Sequence, residues 1–567
     1  MNLSYLALAV ALAGIAFGQR VVPDQKVVPD QKVAPDLTNV TSNGPVKVIV
    51  QFTSRTPAAS TLASLRGFAG DPKKVFRTFP GRVYQAPANA LNAISKLPHV
   101  KYMSLDRPVR ARLDLTTATS GAEIARMYGY TGKGVGVAVL DSGIAGSPDL
   151  SGTWPYSSRV VYREDFTGGN GGDAYGHGTH VAGIIGGNGA SSIGTARKFR
   201  GVAPGVNIID LRVLDQNGVG SDSAVIAAIE RAIDLKNTYN IKVMNLSLGR
   251  PVFESFATDP LCQAVEMAWK AGITVVVSAG NNGRDNSMGT NGYATITSPG
   301  NDPYVITVGA MKTVGTPGRT DDRIASYSSK GPTLGDHFVK PDILAPGNTV
   351  ISLRAPGSTL DMAFPANQVN PVTYGGQPGA AKYFIMSGTS MAAPVVSGAA
   401  AILLQKTPTL TPDQIKARLM KTATKTFPST SIAIDPVTGQ TYTSQYDIFT
   451  VGAGYLDILA ALNNNELASG YAVSPRAVYD PVTRHVAIHA MTISWGETIS
   501  WGETISWGES VVWGPSVFLP GTLYAWGQTI SWGESTNQGF HTIWNSTISW
   551  GEQTPQSQTL VSVKGEQ

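Results

Sequence analysis

GVGVAVLDSGI, residues 134–144, decides the fold of most of this 567-residue chain. It runs through glycine, valine, alanine and leucine to a single acid, Asp141, and then breaks on Ser142-Gly143. An apolar run with no polar alternation reads as a strand buried on both faces. Four more runs of this kind follow: NIIDLRVLD (207–215), KVMNLSLG (242–249), ITVVVSAGN (273–281) and YVITVGA (304–310). Helical stretches such as SAVIAAIERAIDL (223–235) lie between them. Buried strands alternating with helices predict an α/β domain over 120–464, built on a mostly parallel sheet with helices on both faces. Such sheets carry their sites at the carboxyl ends of the strands, where Asp141 and Asn281 stand.

Outward from this domain the pattern changes on both sides. Residues 46–108 hold strand VKVIVQF (46–52), a helical stretch near 58–68, strands near 75–79 and 82–86, helix ANALNAISKL (88–97) and strand VKYMS (100–104). That order is βαββαβ, the ferredoxin-like α+β plan. Ahead of it, 19–45 carries a tandem VVPDQK, whose prolines favour an extended spacer. Residues 1–18 read as a secretory signal peptide cleaved after Gly18: an apolar run shorter than a membrane span, ending in small residues, with no Lys or Arg before it. No other segment is apolar enough to span a membrane. Residues 465–490 connect to a tail, 491–567, in which TISWGE recurs perfectly five times and which contains eight of the ten tryptophans. A period of six puts Ile, Trp and Glu on one side of a strand, so the tail is expected to be β-rich with an aromatic stripe.

Composition narrows the function. The formal charge is +5 without a long basic run, which argues against a nucleic-acid partner. Cys262 is the only cysteine, so no intramolecular disulfide forms. It sits in the apolar helical stretch LCQAVEMAWKAG, as a core residue would.

Peptide hydrolysis by an alcohol needs a base, a group that orients the base and donors for an oxyanion. Asp141, at its strand end, suits the orienting carboxylate. His177 lies in GHGTHVAG at the start of a helix and suits the base. His180, one turn on, would make a metal pair with it, but no HExxH-type glutamate adjoins them. Ser390 lies in SGTSMAAPVVSGAAAILL, with Gly388 before it and an apolar helix after it, so that its own backbone N–H faces developing negative charge. Pro394 is read as lying in the first turn of that helix, where its missing N–H costs little. Asn281 is placed to donate the second oxyanion bond.

DSGI, HGTHVAG, SAGNN and GTSMAAP, in this order, resemble the subtilisin (subtilase) family of serine peptidases over about 120–464. The resemblance implies a doubly wound subtilisin-like fold and a secreted serine endopeptidase acting on proteins or peptides, with no cofactor required for the chemistry. It assigns Asp141, His177 and Ser390 to the triad and Asn281 to the oxyanion hole. Substrate would add as a strand between Gly218-Val219-Gly220 and Ser247-Leu248-Gly249. Those contacts read backbone, so specificity should be broad; neutral Asn282 points to apolar or mixed preference. Residues 46–108 would be an inhibitor-like propeptide, the chain's own intramolecular inhibitor, released by self-cleavage within 105–120, in or beside a 109–119 linker. Arg107, Arg110 and Arg112 would alternatively serve another protease. Structural calcium is an option, with Asp149 in SPDL at one ligand position, although GGNGASSIGTARKFRG (186–201) is longer than the usual calcium loop and leaves the other ligands open.

Three further readings accompany these. The Gly/Pro-rich stretch between Ala355 and Tyr383, longer than the family's run-in to the serine, is read as a surface loop rather than a border of the cleft. An esterase is disfavoured because Gly-Thr precedes the serine, without a GxSxG elbow. A binding or structural protein centred on the Trp-Gly tail, with cell-envelope contact, would make the peptidase domain subsidiary; all four catalytic positions are nonetheless filled. The tail itself is read as aromatic packing, as envelope or glycan binding, or as a segment trimmed during maturation.

Overall fold

The computed structural model describes residues 44–54, 56–75, 80–105, 113–152, 158–169, 171–287, 289–435 and 439–479, with Lys32, Val33, Leu37, 486–489 and 493–494 besides. The expected signal peptide, the three arginines of the processing region and almost all of the Trp-Gly tail lie outside the described residues. Two compact units divide the chain, Met1–Arg110 and Ala111–Gln567.

In the first unit, β1 (Pro45–Phe52), α1 (Ala59–Ala69), β2 (Lys74–Val75), β3 (Gly81–Pro87), α2 (Leu91–Ser95) and β4 (Val100–Leu105) follow one another. The sheet order is β2-β3-β1-β4 and every pair is antiparallel. Val48, Val50 and Phe52 on alternate positions of β1 are buried with Leu65, Tyr84, Ile94 and Met103. That is the one-sided alternation of a sheet packed on a single layer of helices.

In the second unit the first run forms β5 (Gly136–Asp141), buried at every position. It is followed by β6 (Val160–Asp165), α3 (His177–Gly186), β7 (Asn207–Arg212), α4 (Asp222–Asp234), β8 (Ile241–Leu246), α5 (Pro260–Lys270), β9 (Thr274–Ser278), β10 (Ile306–Lys312), β11 (Arg323–Ile324) and β12 (Ile343–Pro346). Their sheet runs β11-β10-β9-β8-β5-β7-β6, with β12 also on β10. Every pairing is parallel except β10 with β11. From β5 the chain passes to the edge strand β6, returns through α3 to β7 beside β5, and crosses through α4 to β8 on the other side of β5. The carboxyl end of β5 is therefore the switch point of the sheet, the usual position of a ligand crevice.

After β13 (Val350–Leu353), α6 (Thr359–Ala363) and β14 (Tyr383–Met386) comes α7 (Thr389–Lys406), buried along nearly its whole length against α3 and the middle of the sheet. Cys262 is fully buried on α5, with its Sγ 3.3 Å from Asn301 Oδ1, and burial raises its thiol pKa well above the ordinary value. It is a core residue. Among the described residues no helix is long and apolar enough to cross a membrane.

Candidate active site

Asp141 emerges from β5 with its side chain 1% exposed, and His177 begins α3 opposite it. Asp141 Oδ1 lies 2.7 Å from His177 Nδ1 and also accepts the Ser142 N–H at 2.7 Å. This bond puts the imidazole proton on Nδ1 and leaves Nε2 as the basic nitrogen. Burial opposes charge on the ring, but the charge and hydrogen bond of Asp141, with Asp173 behind, outweigh it and hold the His177 pKa above its ordinary 6.5.

Asp173 is a buried residue that the sequence did not single out. Its Oδ1 accepts bonds from Ser142 Oγ (2.8 Å) and the Gly176 N–H (2.7 Å). Its Oδ2 accepts bonds from the Thr179 N–H (2.8 Å) and Thr179 Oγ1 (2.6 Å). Ser142 Oγ in turn accepts the Gly178 N–H at 2.9 Å. One carboxylate thus joins the loop after Asp141 to the first turn containing His177. An acid four residues ahead of a histidine in a glycine-rich loop was the available signal.

Ser390 is the second residue of α7, and its backbone N–H is the orphan of the first turn. The neighbouring Thr389 N–H donates to Asn281 Oδ1 at 2.9 Å, and the Met391 N–H donates to the Gly388 carbonyl at 3.0 Å. Thr389 Oγ1 also lies 3.1 Å from Asn281 Oδ1. With Oδ1 occupied by donors, the Asn281 Nδ2 group is the free donor of the amide. A side chain at Gly388, whose φ is +147°, would put a Cβ 3.3 Å from that nitrogen.

Pro394 is not in the first turn as expected. It is the sixth residue of α7, so the N–H that would bond the Ser390 carbonyl is missing. Ser247 Oγ supplies the bond instead, donating to the Ser390 carbonyl at 2.8 Å, while Ser390 Oγ donates to the Ser247 carbonyl at 3.2 Å. The proline thereby ties the carboxyl end of β8 to the start of α7. The Ser390 hydroxyl is turned toward β8 rather than toward His177.

The expected substrate segments flank this site. Val219 is 39% exposed and turns its backbone inward: its N–H bonds Asp215 Oδ1 at 3.0 Å and its carbonyl accepts the Asp215 N–H at 2.8 Å. Gly218 has φ +75°, and a Cβ there would meet the Tyr175 ring at 2.6 Å; one at Gly220 would meet the Val213 carbonyl at 2.3 Å. Ser247 and Leu248 are buried, and a Cβ on Gly249 would lie 2.5 Å from Thr297 Oγ1. The stretch between Ala355 and Tyr383, expected as a surface loop, is anchored to the rim of the site. The Thr359 and Leu360 N–H groups donate to the carbonyls of Ala174 (2.9 Å) and Tyr175 (3.0 Å), just ahead of His177.

Two expected or considered metal positions hold protein contacts. His180 is fully buried, with Nε2 near the carbonyls of Val350 (3.2 Å) and Phe384 (3.1 Å). Burial and the charge of His177 push its pKa down to about 3, so it is a neutral core histidine. Asp149 is fully buried; its oxygens accept the Ser191 N–H (2.7 Å) and the Tyr383 hydroxyl (2.8 Å). Among the described residues no group of three or more His, Cys, Asp or Glu could hold a metal ion. Both Asp149 oxygens thus have protein donors, and the longer 186–201 stretch uses this carboxylate as an anchor through Ser191.

Comparison with known families matches residues 132–454 to the one described as the Subtilase family. The chain is 40% identical over 345 residues to "Serine protease AprX" of Bacillus subtilis (strain 168), spanning 60% of this chain and 72% of that protein. It is 35% identical over 356 residues to "Extracellular serine proteinase" of Thermus sp. (strain Rt41A), spanning 61% and 71%. It is 33% identical over 363 residues to "Subtilisin E" of Bacillus subtilis (strain 168), spanning 63% and 78%.

Proposed function

The chain belongs to the subtilase family and is a serine endopeptidase of the subtilisin type, and on that premise we propose that Asp141, His177, Ser390 and Asn281 carry the hydrolysis. Ser390 Oγ turns from the Ser247 carbonyl to His177 Nε2, gives up its proton and attacks the scissile carbonyl. The Ser390 N–H and Asn281 Nδ2 bind the resulting oxyanion. His177 passes the proton to the leaving amine, and an acyl-enzyme forms. Water, deprotonated by His177, then attacks the ester and restores Ser390. Asp141 stabilises the imidazolium at each step without taking its proton. The observation that carries this reading is the 2.7 Å bond from buried Asp141 to His177, at the start of the helix on which the serine-bearing α7 packs. Subtilases need no cofactor for catalysis.

The proposal extends to the precursor. Residues 46–108 act as a folding aid and intramolecular inhibitor, removed by self-cleavage within 105–120; the antiparallel β2-β3-β1-β4 sheet supports this. Secretion is supported by the apolar amino-terminal run and by the name of the Thermus relative. Broad specificity follows from recognition of substrate backbone along 218–220 and 247–249. The 491–567 tail packs, binds the cell envelope or is trimmed. Deleting it and assaying casein hydrolysis and envelope binding separates these roles.

The test of the catalytic assignment is Ser390→Ala in the full precursor. Cleavage within 105–120 and labelling by a fluorophosphonate should both disappear. Persistence of either in the variant refutes Ser390 as the nucleophile.

A further inference from the structure

The segment between Ala355 and Tyr383 is fixed at both ends. Near its start the Arg354 guanidinium meets the buried Asp361 carboxylate through two bonds, Nε–Oδ1 at 2.6 Å and Nη2–Oδ2 at 2.8 Å. The Gly357 N–H (2.9 Å) and Gln368 Nε2 (2.8 Å) complete that carboxylate. Near its end Tyr374 is buried between Phe199 and Tyr383, with ring centroids at 5.2 and 5.8 Å. A stretch held this firmly presents its first helical turn in one orientation.

That turn grips two loops of the cleft at once. Ser358 packs against Gly176 so closely that a Cβ there would lie 2.3 Å from Ser358 Oγ. Thr359 and Leu360 hold the carbonyls of residues 174 and 175, as above. Thr359 Oγ1 also donates to the Gln216 carbonyl at 2.7 Å, two residues ahead of Gly218. Between the two loops stands the Tyr175 ring, 6.4 Å from the His177 ring by centroids and in contact with the bare Cα of Gly218. Its carbonyl is bonded by Leu360 and its ring lies against Gly218, so Tyr175 is held from two sides.

Consecutive residues of an extended substrate send their side chains to opposite faces. When the cleaved residue turns its side chain away from His177, the residue before it faces the His177 side, where Tyr175 stands. We propose that the 355–382 segment is a specificity element: through Ser358, Thr359 and Leu360 it clamps the Tyr175 ring between His177 and Gly218, so that this substrate position admits only small side chains such as Gly, Ala or Ser. The inference rests on the proposed catalytic assignment and adds a size filter to an otherwise backbone-reading cleft. A hydrophobic site separates side chains differing by a few methylene groups by about 10- to 200-fold, which sets the scale.

The experiment uses peptide anilides that share the cleaved residue and differ, Ala against Phe, at the residue before it. The mature enzyme should favour Ala by about tenfold or more in kcat/KM. Tyr175→Ala should remove most of that preference, Tyr175→Phe should keep it, and Thr359→Val, which loses the hydroxyl bonds to the Gln216 and Ala174 carbonyls but keeps the backbone bond to Ala174, should weaken it by about threefold. A wild-type ratio near one, or a ratio unchanged in Tyr175→Ala, overturns the filter. An unchanged ratio in Thr359→Val overturns the clamp. Ser390→Ala, assayed alongside, tells the two failures apart: if it still hydrolyses the anilides or takes the fluorophosphonate label, the catalytic assignment fails and not the filter.

Discussion

The two halves of the candidate site are built from different materials. On the Asp141–His177 half, buried carboxylates fix the geometry: Asp141 holds the imidazole, and Asp173 accepts four hydrogen bonds that lock the loops carrying both residues. On the Ser390–Asn281 half, the backbone does so, through a helix N-terminus, a glycine with φ +147° and a proline that frees a carbonyl for Ser247. The first half is electrostatic and responds to pH. The second is conformational and does not. A base must change charge during turnover, so its surroundings have to stabilise an ion; an oxyanion hole needs only donors that are already aimed.

Substitutions on each half should sharpen this contrast. Asp141→Asn should cost most, about 10⁴-fold in kcat, because an amide favours the wrong imidazole tautomer. Its pH profile should also change. In the wild type, activity should fall as pH drops through the raised pKa of His177, placing the acid limb above 6.5. Without the carboxylate, burial dominates and the limb should move down. A limb that stays in place would mean that Asp141 does not set the charge of the base.

Asn281→Ala should lower kcat by about 100- to 1,000-fold, the size of effect known for the oxyanion asparagine of subtilisin itself. It should leave the acid limb where it was. A shifted limb would blur the division between the halves.

Asp173→Asn should act mainly on stability. An amide cannot accept from four donors, so at least one buried donor loses its partner, at about 1–3 kcal/mol each. The denaturation midpoint of the mature enzyme should fall, with kcat reduced about tenfold through poorer placement of His177. An unchanged midpoint would remove Asp173 from its bracing role.

The smallest effect belongs to Pro394→Ala. It restores an N–H that competes with Ser247 Oγ for the Ser390 carbonyl, and turnover should fall a few-fold with an unchanged pH profile, because one neutral hydrogen bond is worth about 1 kcal/mol. A loss comparable to that of Asn281→Ala would show that the proline does more than free a carbonyl.

Much of the fold was legible because it rests on local pattern. Unbroken Val/Ile/Leu runs separated by helical periodicity specify buried parallel strands, and β5, β7, β8, β9 and β10 match the five runs that announced them, with β8 starting one residue earlier and β10 ending two residues later. Asp141 and Asn281 could be placed at strand ends for the same reason. Asp173 was missed because its role consists of bonds to Ser142, Gly176 and Thr179, and nothing in the residue type separates a bracing acid from a loop acid. The 355–382 segment was misjudged because glycine and proline content reports an irregular backbone, not the surface on which that backbone lies. Asp149 could be singled out only through the family resemblance; that its carboxylate accepts the Tyr383 hydroxyl, 234 residues away, has no local signal.

The sequence by itself determined the parallel α/β core, the chemical types available for catalysis and their order along the chain, since these depend on periodicity and residue identity. The tertiary structure alone decided which carboxylates support His177, how Pro394 joins α7 to β8 and where the 355–382 segment meets the cleft. Each of those depends on distances between segments far apart in sequence. Short-range patterning specifies elements, while hydrogen-bond partners and steric walls arise only where the packed elements bring distant residues within about 3 Å of one another.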